Sequence, residues 1–433
     1  NGTVLSLYRG IQEKLQGYKN RVYRQLQAGT NASMVLRDIK WDIPEDYAYL
    51  KGIPFVDQIL LRTPLLLHTK SNKRYGSFQP VTENPILNIN IDRDDYFCYP
   101  AKVGQLTILV YVHYDFAFSG ISNANIFELA TKEDILHGKI DGIVMFGYAD
   151  GTKDTTYHYD QKNDLWTAKV SYDEVITYFG YMKKMMLTMH NVIAMARGWL
   201  PIHGSMINIH LKGRTEPVGV CLMGDSGAGK SETIEAMELL AHPDLLGFDI
   251  IFDDMGTFQL ENGKVVAQGT EIGAFIRLDD LDKGSPYKTM DRSIFMNPEI
   301  PNNARVIIPV ATYEMISTSH PVHYFFYANN YENKTGINIV GHSNDIKDTF
   351  LQGKRMAMAT THETGISTTY FANPFGPMQD QATCDPLIEK YFTALDNSGV
   401  KVGEIYTGLG VKDSAPDHLQ ITAKALVDTI LKD

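Results

Sequence analysis

Gly224-Asp225-Ser226-Gly227-Ala228-Gly229-Lys230-Ser231 decides the reading of this chain. The eight positions match the Gly-x-x-x-x-Gly-Lys-Ser/Thr pattern of a P-loop, and their surroundings are those the pattern requires. Upstream, Val218-Gly-Val-Cys-Leu-Met is a short apolar run that predicts a strand; downstream, Ile234, Met237 and Leu240 recur at helical spacing between Lys230 and Ala241. Strand, loop and helix in that order make a cradle for polyphosphate. The glycines let successive backbone N–H groups point inward, and the helix N-terminus adds its partial positive charge at the same place. Lys230 is expected to reach the transferable phosphoryl group and Ser231 to offer its hydroxyl to a divalent cation, with Gly224 to Ser231 as the binding segment.

A second apolar run, Phe248-Asp-Ile-Ile-Phe, predicts a strand that ends in Asp253-Asp254. Alone, two adjacent acids at a strand end read as a solvated turn. Behind a P-loop they sit where a carboxylate meets the metal beside the phosphates. A divalent ion there can hold both carboxylates ionised.

Outward from this centre, the 433 residues leave room for two or three domains. The 40 Lys and Arg against 51 Asp and Glu give a formal charge of −11, with no long run of either sign, which argues against a nucleic-acid surface. Three cysteines, Cys98, Cys221 and Cys384, fit no paired or metal-ligand spacing, so the chain reads as cytoplasmic. No stretch has the ~20 uncharged residues of a membrane span, and the opening residues do not read as a signal peptide. The first 40 or so residues, with Leu5, Ile11, Leu15, Val22 and Leu26 near helical spacing, predict an amphipathic helix or helical pair packed on the core. From Ile53 to Gly147 short β-rich runs separated by turns predict a mixed sheet, and Tyr181-Met-Lys-Lys-Met-Met-Leu-Thr-Met-His predicts a helix that carries Lys183 and Lys184 on neighbouring faces. The expected architecture is α/β in two domains: a mixed-sheet domain over 1–210 and a P-loop domain over 211–433.

Five separated segments, in order, resemble phosphoenolpyruvate carboxykinase, the ATP-type branch more than the GTP-type. They are Tyr178-Phe-Gly-Tyr-Met-Lys183-Lys184-Met, Ile202-His203-Gly-Ser followed by the P-loop and the paired aspartates, Asn303-Ala-Arg305-Val-Ile-Ile-Pro309, Phe350-Leu-Gln-Gly353 through Thr361-His-Glu363-Thr-Gly365-Ile-Ser, and Tyr406-Thr-Gly408. The likeness runs from Tyr178 to the end and implies a two-domain carboxykinase fold. It also implies that Lys184, His203 and Asp254 bind Mn²⁺ and that Ser231 binds the Mg²⁺ of the nucleotide. A lysine binds metal only as the neutral amine, which burial beside a dication would favour. Without the resemblance, Lys184 reads as a surface lysine and His203 as a core histidine. Arg305 and Tyr178 are implied to hold oxaloacetate, which loses CO₂ to leave an enolate that takes a phosphoryl group from ATP. Lys184, His203, Lys230, Asp253, Asp254 and Arg305 then form the implied catalytic set, and the stretch near 353–371 is implied to close as a lid.

Three departures keep alternatives open. The loop reads Gly-Asp-Ser-Gly-Ala-Gly-Lys-Ser-Glu where carboxykinases usually show Gly-x-Ser-Gly-Thr-Gly-Lys-Thr, and with Ile202-His203-Gly-Ser it also resembles HPr kinase/phosphorylase, in which Asp253 could serve as base toward a serine hydroxyl. The family's N-terminal Gly-Arg-Ser-Pro is missing, and Arg62 in Leu60-Leu-Arg-Thr-Pro is the nearest candidate for a substrate arginine. Around Asp417 to Ile421, Asp-His-Leu-Gln-Ile replaces the family's adenine-site stretch, so GTP or pyrophosphate stays open beside ATP as phosphoryl donor.

Overall fold

The computed structural model describes residues 2–17, 21–23, 32–61, 64–240, 242–278, 293–300, 303–357, 365–412 and 414–433. Mixed sheets and helices alternate along them, an α/β architecture. In the first half a ten-stranded sheet is built around Tyr96–Val103, Leu106–His113, Gly142–Tyr148 and Leu165–Ser171. Leu106–His113 pairs antiparallel with Tyr96–Val103 and parallel with Gly142–Tyr148. These strands read as continuous apolar runs, and the sheet is covered on both faces.

An eight-stranded sheet follows, in the order His320–Pro321, Lys264–Gly269, Leu245–Glu261, Leu200–Leu211, Val218–Met223, Tyr324–Asn329, Lys401–Tyr406, Ile337–Ile339. Leu200–Leu211 runs antiparallel to both of its neighbours. Val218–Met223, Tyr324–Asn329 and Lys401–Tyr406 run parallel. The Leu200–Leu211 strand thus lies wholly inside this sheet, including the residues on either side of 210. A third sheet takes Gly273–Arg277, Arg305–Pro309 and Ile294–Met296 from the second half and Leu65–Leu67 from the first. That last pairing brings the residues after Leu67 against the second half of the chain.

The helix Gly180–Ala196 is apolar nearly all round, and fifteen of its residues are buried, as expected of a helix enclosed on every side. It packs between Leu165–Ser171 of the first large sheet and Leu200–Leu211 of the second. The predicted strand, loop and helix form as Val218–Met223, the P-loop and Lys230–Glu238.

Two local readings need correction. The predicted strand does not end at Asp253-Asp254: it runs on to Glu261, because Leu200–Leu211 pairs with it as far as Phe258 and Lys264–Gly269 pairs with its far end. The N-terminal helix forms over Gly2–Gln16, but Val4, Leu7, Ile11 and Leu15 lie on the surface and not in the core, and Ala32–Arg37 is a strand.

Candidate functional site

The long strand Leu245–Glu261 and its neighbour Leu200–Leu211 place the acidic centre. Their register sets Ser205 opposite Asp253 and Gly204 opposite Asp254. Asp253 accepts hydrogen bonds from Ser205 Oγ and, at 2.9 and 3.1 Å, from Ser231 Oγ of the P-loop. Asp254 has φ +131°, a backbone conformation that nearly every residue but glycine avoids, and strain of this kind gathers at functional sites. Its Oδ2 lies 2.6 Å from Lys184 Nζ and 2.7 Å from Lys183 Nζ, and its Oδ1 lies 3.2 Å from His203 Nε2. Lys184, His203 and Asp254 therefore meet at one point, one residue along the strand from the carboxylate that holds Ser231.

The electrostatics of this point are lopsided, with three cation-forming groups on one carboxylate. Burial pushes the Asp254 carboxyl up, but the ammonium groups of Lys183 and Lys184 and the His203 ring override it and hold it well below the usual range. Lys184 is shifted the other way from its neighbour. Burial lowers it, Asp254 opposes the fall, and the positive charge of Lys183 adds to it. For Lys183 burial is outweighed by Asp254 and by Glu271, whose Oε1 stands 3.0 Å from Lys183 Nζ. Glu271 itself is pushed up to about 7, chiefly by burial, with Lys183 pulling the other way.

His203 shows which of its nitrogens is available. Its Nδ1 is 2.6 Å from the carbonyl oxygen of Ala372, which can only accept, so Nδ1 carries the proton. Phe371 and Ala372 both hold left-handed angles, φ +49° and +46°, on the segment that presents this carbonyl. The lone-pair position at Nε2 then faces the Asp254 carboxylate at 3.2 Å. Two acceptors stay at that distance only with a proton or a metal cation between them. Among the described residues no three His, Cys, Asp or Glu side chains cluster closely enough to hold a metal, so the third ligand here would be the lysine amine. Once deprotonated, the Lys184 amine would complete with the imidazole and the carboxylate a donor set suited to a divalent transition ion.

The P-loop lies against this centre. Gly227 and Gly229 take φ +79° and +94°, and a side chain at Gly229 would collide with Thr407, whose Oγ1 donates to Ala228 O at 2.7 Å. The Tyr406-Thr-Gly408 segment thus buttresses the loop. Lys230 Nζ donates to Asp225 O at 3.1 Å. The buried Asp225 carboxylate accepts from Ser226 N, Arg355 Nε and Thr369 Oγ1, at 2.7, 3.1 and 3.0 Å. Arg355 and Thr369 both belong to the lid-like stretch, of which 358–364 lie outside the described residues.

Tyr178 and Arg305 pack on one ring, that of Phe275, at 5.7 and 5.4 Å from its centre. Arg62 lies outside the described residues. A different arginine reaches the site: Arg74 stacks on Phe78 at 5.0 Å and on Phe375 at 5.7 Å, and Phe375 also lies against Lys184 at 4.6 Å and His203 at 5.9 Å. The backbone N–H of Tyr75 donates to Tyr181 Oη at 3.1 Å, and Asn297 and Asn303 bind Thr69 and Asn72, which ties this segment down. Sequence reasoning missed Arg74 and Glu271. Lys73-Arg74-Tyr75-Gly76-Ser77 was the available signal for the first: an arginine beside Gly and Ser in the N-terminal half.

No protein-family model matches this chain, and no curated protein matches it. Among the described residues no helix is long and apolar enough to cross a membrane.

Proposed function

We propose that this chain is a decarboxylating phosphotransferase of the phosphoenolpyruvate carboxykinase type, with a two-domain carboxykinase-like fold and a cytoplasmic setting. The observation that supports it most is the meeting of Lys184 and His203 on Asp254, next to the Asp253 that holds Ser231 of the P-loop.

In this reading Arg74, Arg305 and Tyr178 bind and orient oxaloacetate, the two guanidinium groups holding its carboxylates. Lys184, His203 and Asp254 would hold Mn²⁺, which when bound supplies positive charge to the oxygen that becomes an enolate as CO₂ leaves. Ser231 and Asp253 would hold the Mg²⁺ of the donor. The backbone N–H groups of Ser226 to Gly229 receive the phosphate chain, and Lys230 exchanges Asp225 O for a phosphoryl oxygen. The enolate oxygen bonds to the terminal phosphorus, the bond from phosphorus to the bridging oxygen breaks, and the donor departs one phosphoryl group shorter. Phosphoenolpyruvate is the product, and the reverse reaction takes up CO₂. Closure of the 353–371 stretch would keep water from protonating the enolate to pyruvate.

The test is purified protein with oxaloacetate, Mn²⁺ and Mg²⁺, and ATP, GTP or pyrophosphate in turn. Phosphoenolpyruvate formed with any donor supports the reading and identifies the donor. Label transferred from donor to a serine of an added protein, with no phosphoenolpyruvate, would replace it with an HPr kinase-like function.

A further inference from the structure

Glu271 is 5% exposed, and among the described residues its carboxylate meets no donor other than the Lys183 ammonium. Its one charged neighbour at ion-pair distance is Lys183, 3.0 Å away, whose side chain is 2% exposed. Lys183 spends its other contact on Asp254 Oδ2, the oxygen that also receives Lys184. A buried carboxylate that leans on one shared ammonium is costly unless some state of the protein uses its remaining capacity.

We propose that Glu271 is a positioning residue for the metal centre: it is the anion to which Lys183 turns when a divalent cation takes the Asp254 carboxylate. This rests on the metal reading above. With a dication on Asp254, the Lys183 ammonium loses its share of that carboxylate and faces the cation across a site with little water. Like charges at such short range repel strongly. Lys183 sits in the first turn of the buried Gly180–Ala196 helix, and its enclosed side chain cannot reach solvent. The Glu271 oxygens are the acceptors it already touches. Glu271 thus keeps Lys183 from competing with the cation, and leaves Lys184, on the next helical face, as the amine that binds it. The arrangement balances: Lys183 with Glu271 is neutral, and Asp254 is left to the cation.

The test is titration of the full-length protein with Mn²⁺ alone at pH 8, without phosphates, reading free Mn²⁺ by its electron paramagnetic resonance signal. E271Q, nearly the same shape without the charge, is expected to bind Mn²⁺ about tenfold or more weakly than wild type, whereas K183M/E271Q, which removes both charges, recovers most of the affinity. A purely structural role would make the double variant worse than E271Q. Mn²⁺ binding by E271Q within about twofold of wild type, or a double variant no better than E271Q, overturns the proposal. Should E271Q alone fail to fold, the double variant decides: affinity within about tenfold of wild type supports the proposal, and a larger loss overturns it. Wild-type protein that takes up no Mn²⁺ overturns the metal reading and this inference together; wild-type uptake with E271Q unchanged overturns only the inference.

Discussion

Lys184 Nζ lies 2.6 Å from Asp254 Oδ2, and the aspartate that receives it holds a φ of +131°. Cationic side chains crowd one carboxylate that a strained backbone delivers. The D254A variant removes one of the two carboxylates next to the buried Lys183 and is expected to lose about 3–5 kcal/mol of stability. D254G loses the same carboxylate but relaxes the backbone, and relief of about 1–3 kcal/mol outweighs the ~1 kcal/mol entropic cost of glycine. Urea unfolding should therefore rank D254G above D254A, and the opposite order would remove the argument from strain.

Arg74 shares the Phe375 ring with Lys184, and burial shifts its guanidinium below its ordinary range, with Tyr181 and Tyr178 opposing the fall. If it holds a substrate carboxylate, R74M raises KM for oxaloacetate by about 10- to 100-fold, the worth of a charged hydrogen bond, with a smaller change in kcat. R62M serves as the comparison. Steady-state kinetics that show the large KM effect at Arg62 instead would return the substrate contact to that residue.

His190, on the buried Gly180–Ala196 helix, is pushed down to about 4, first by burial and further by Arg197, with the Asn191 hydrogen bond opposing. The unfolded chain takes up a proton near pH 6.5 and the folded one only near 4, so stability is full above about 6.5 and falls as the pH drops toward 4. The fall from this group amounts to at most about 3 kcal/mol. H190Q should flatten the acid limb of a stability-against-pH curve relative to wild type. A variant with an unchanged acid limb would show that His190 does not contribute to it.

Asp225 joins the P-loop to Arg355 and Thr369, both in the lid-like stretch. Burial pushes its carboxyl up, and His203, Arg355 and other donors outweigh this and leave it below the usual range. D225N keeps the shape and loses the charge, at an expected cost of about 1.5–3 kcal/mol. The midpoint of urea unfolding measures it, and a shift of less than about 0.5 kcal/mol would mean that this carboxylate adds nothing to the fold.

Gly224 to Ser231 announces its own geometry in sequence, because glycine spacing, a following Lys-Ser and flanking apolar periodicity are local properties of the chain. The mixed sheets and the helix carrying Lys183 and Lys184 were legible for the same reason. Legibility stopped where a residue's meaning depends on a partner far along the chain. Asp253 and Asp254 look like a strand end, yet the strand continues because another strand, Leu200–Leu211, pairs across them. The exposed apolar side of Gly2–Gln16 follows the same limit, since periodicity marks an apolar face without saying what covers it.

By itself, then, the sequence determined the strand, glycine-rich loop and helix around Lys230 and the α/β layering, for which short-range spacing suffices. Only the tertiary structure decided that Arg74 reaches Phe375, that the carbonyl of Ala372 holds the His203 proton, and that Glu271 shares Lys183 with Asp254. Each of these contacts joins groups separated by more than fifty residues. Burial and charge acquire their effect at such a contact only after folding has removed the water between the groups.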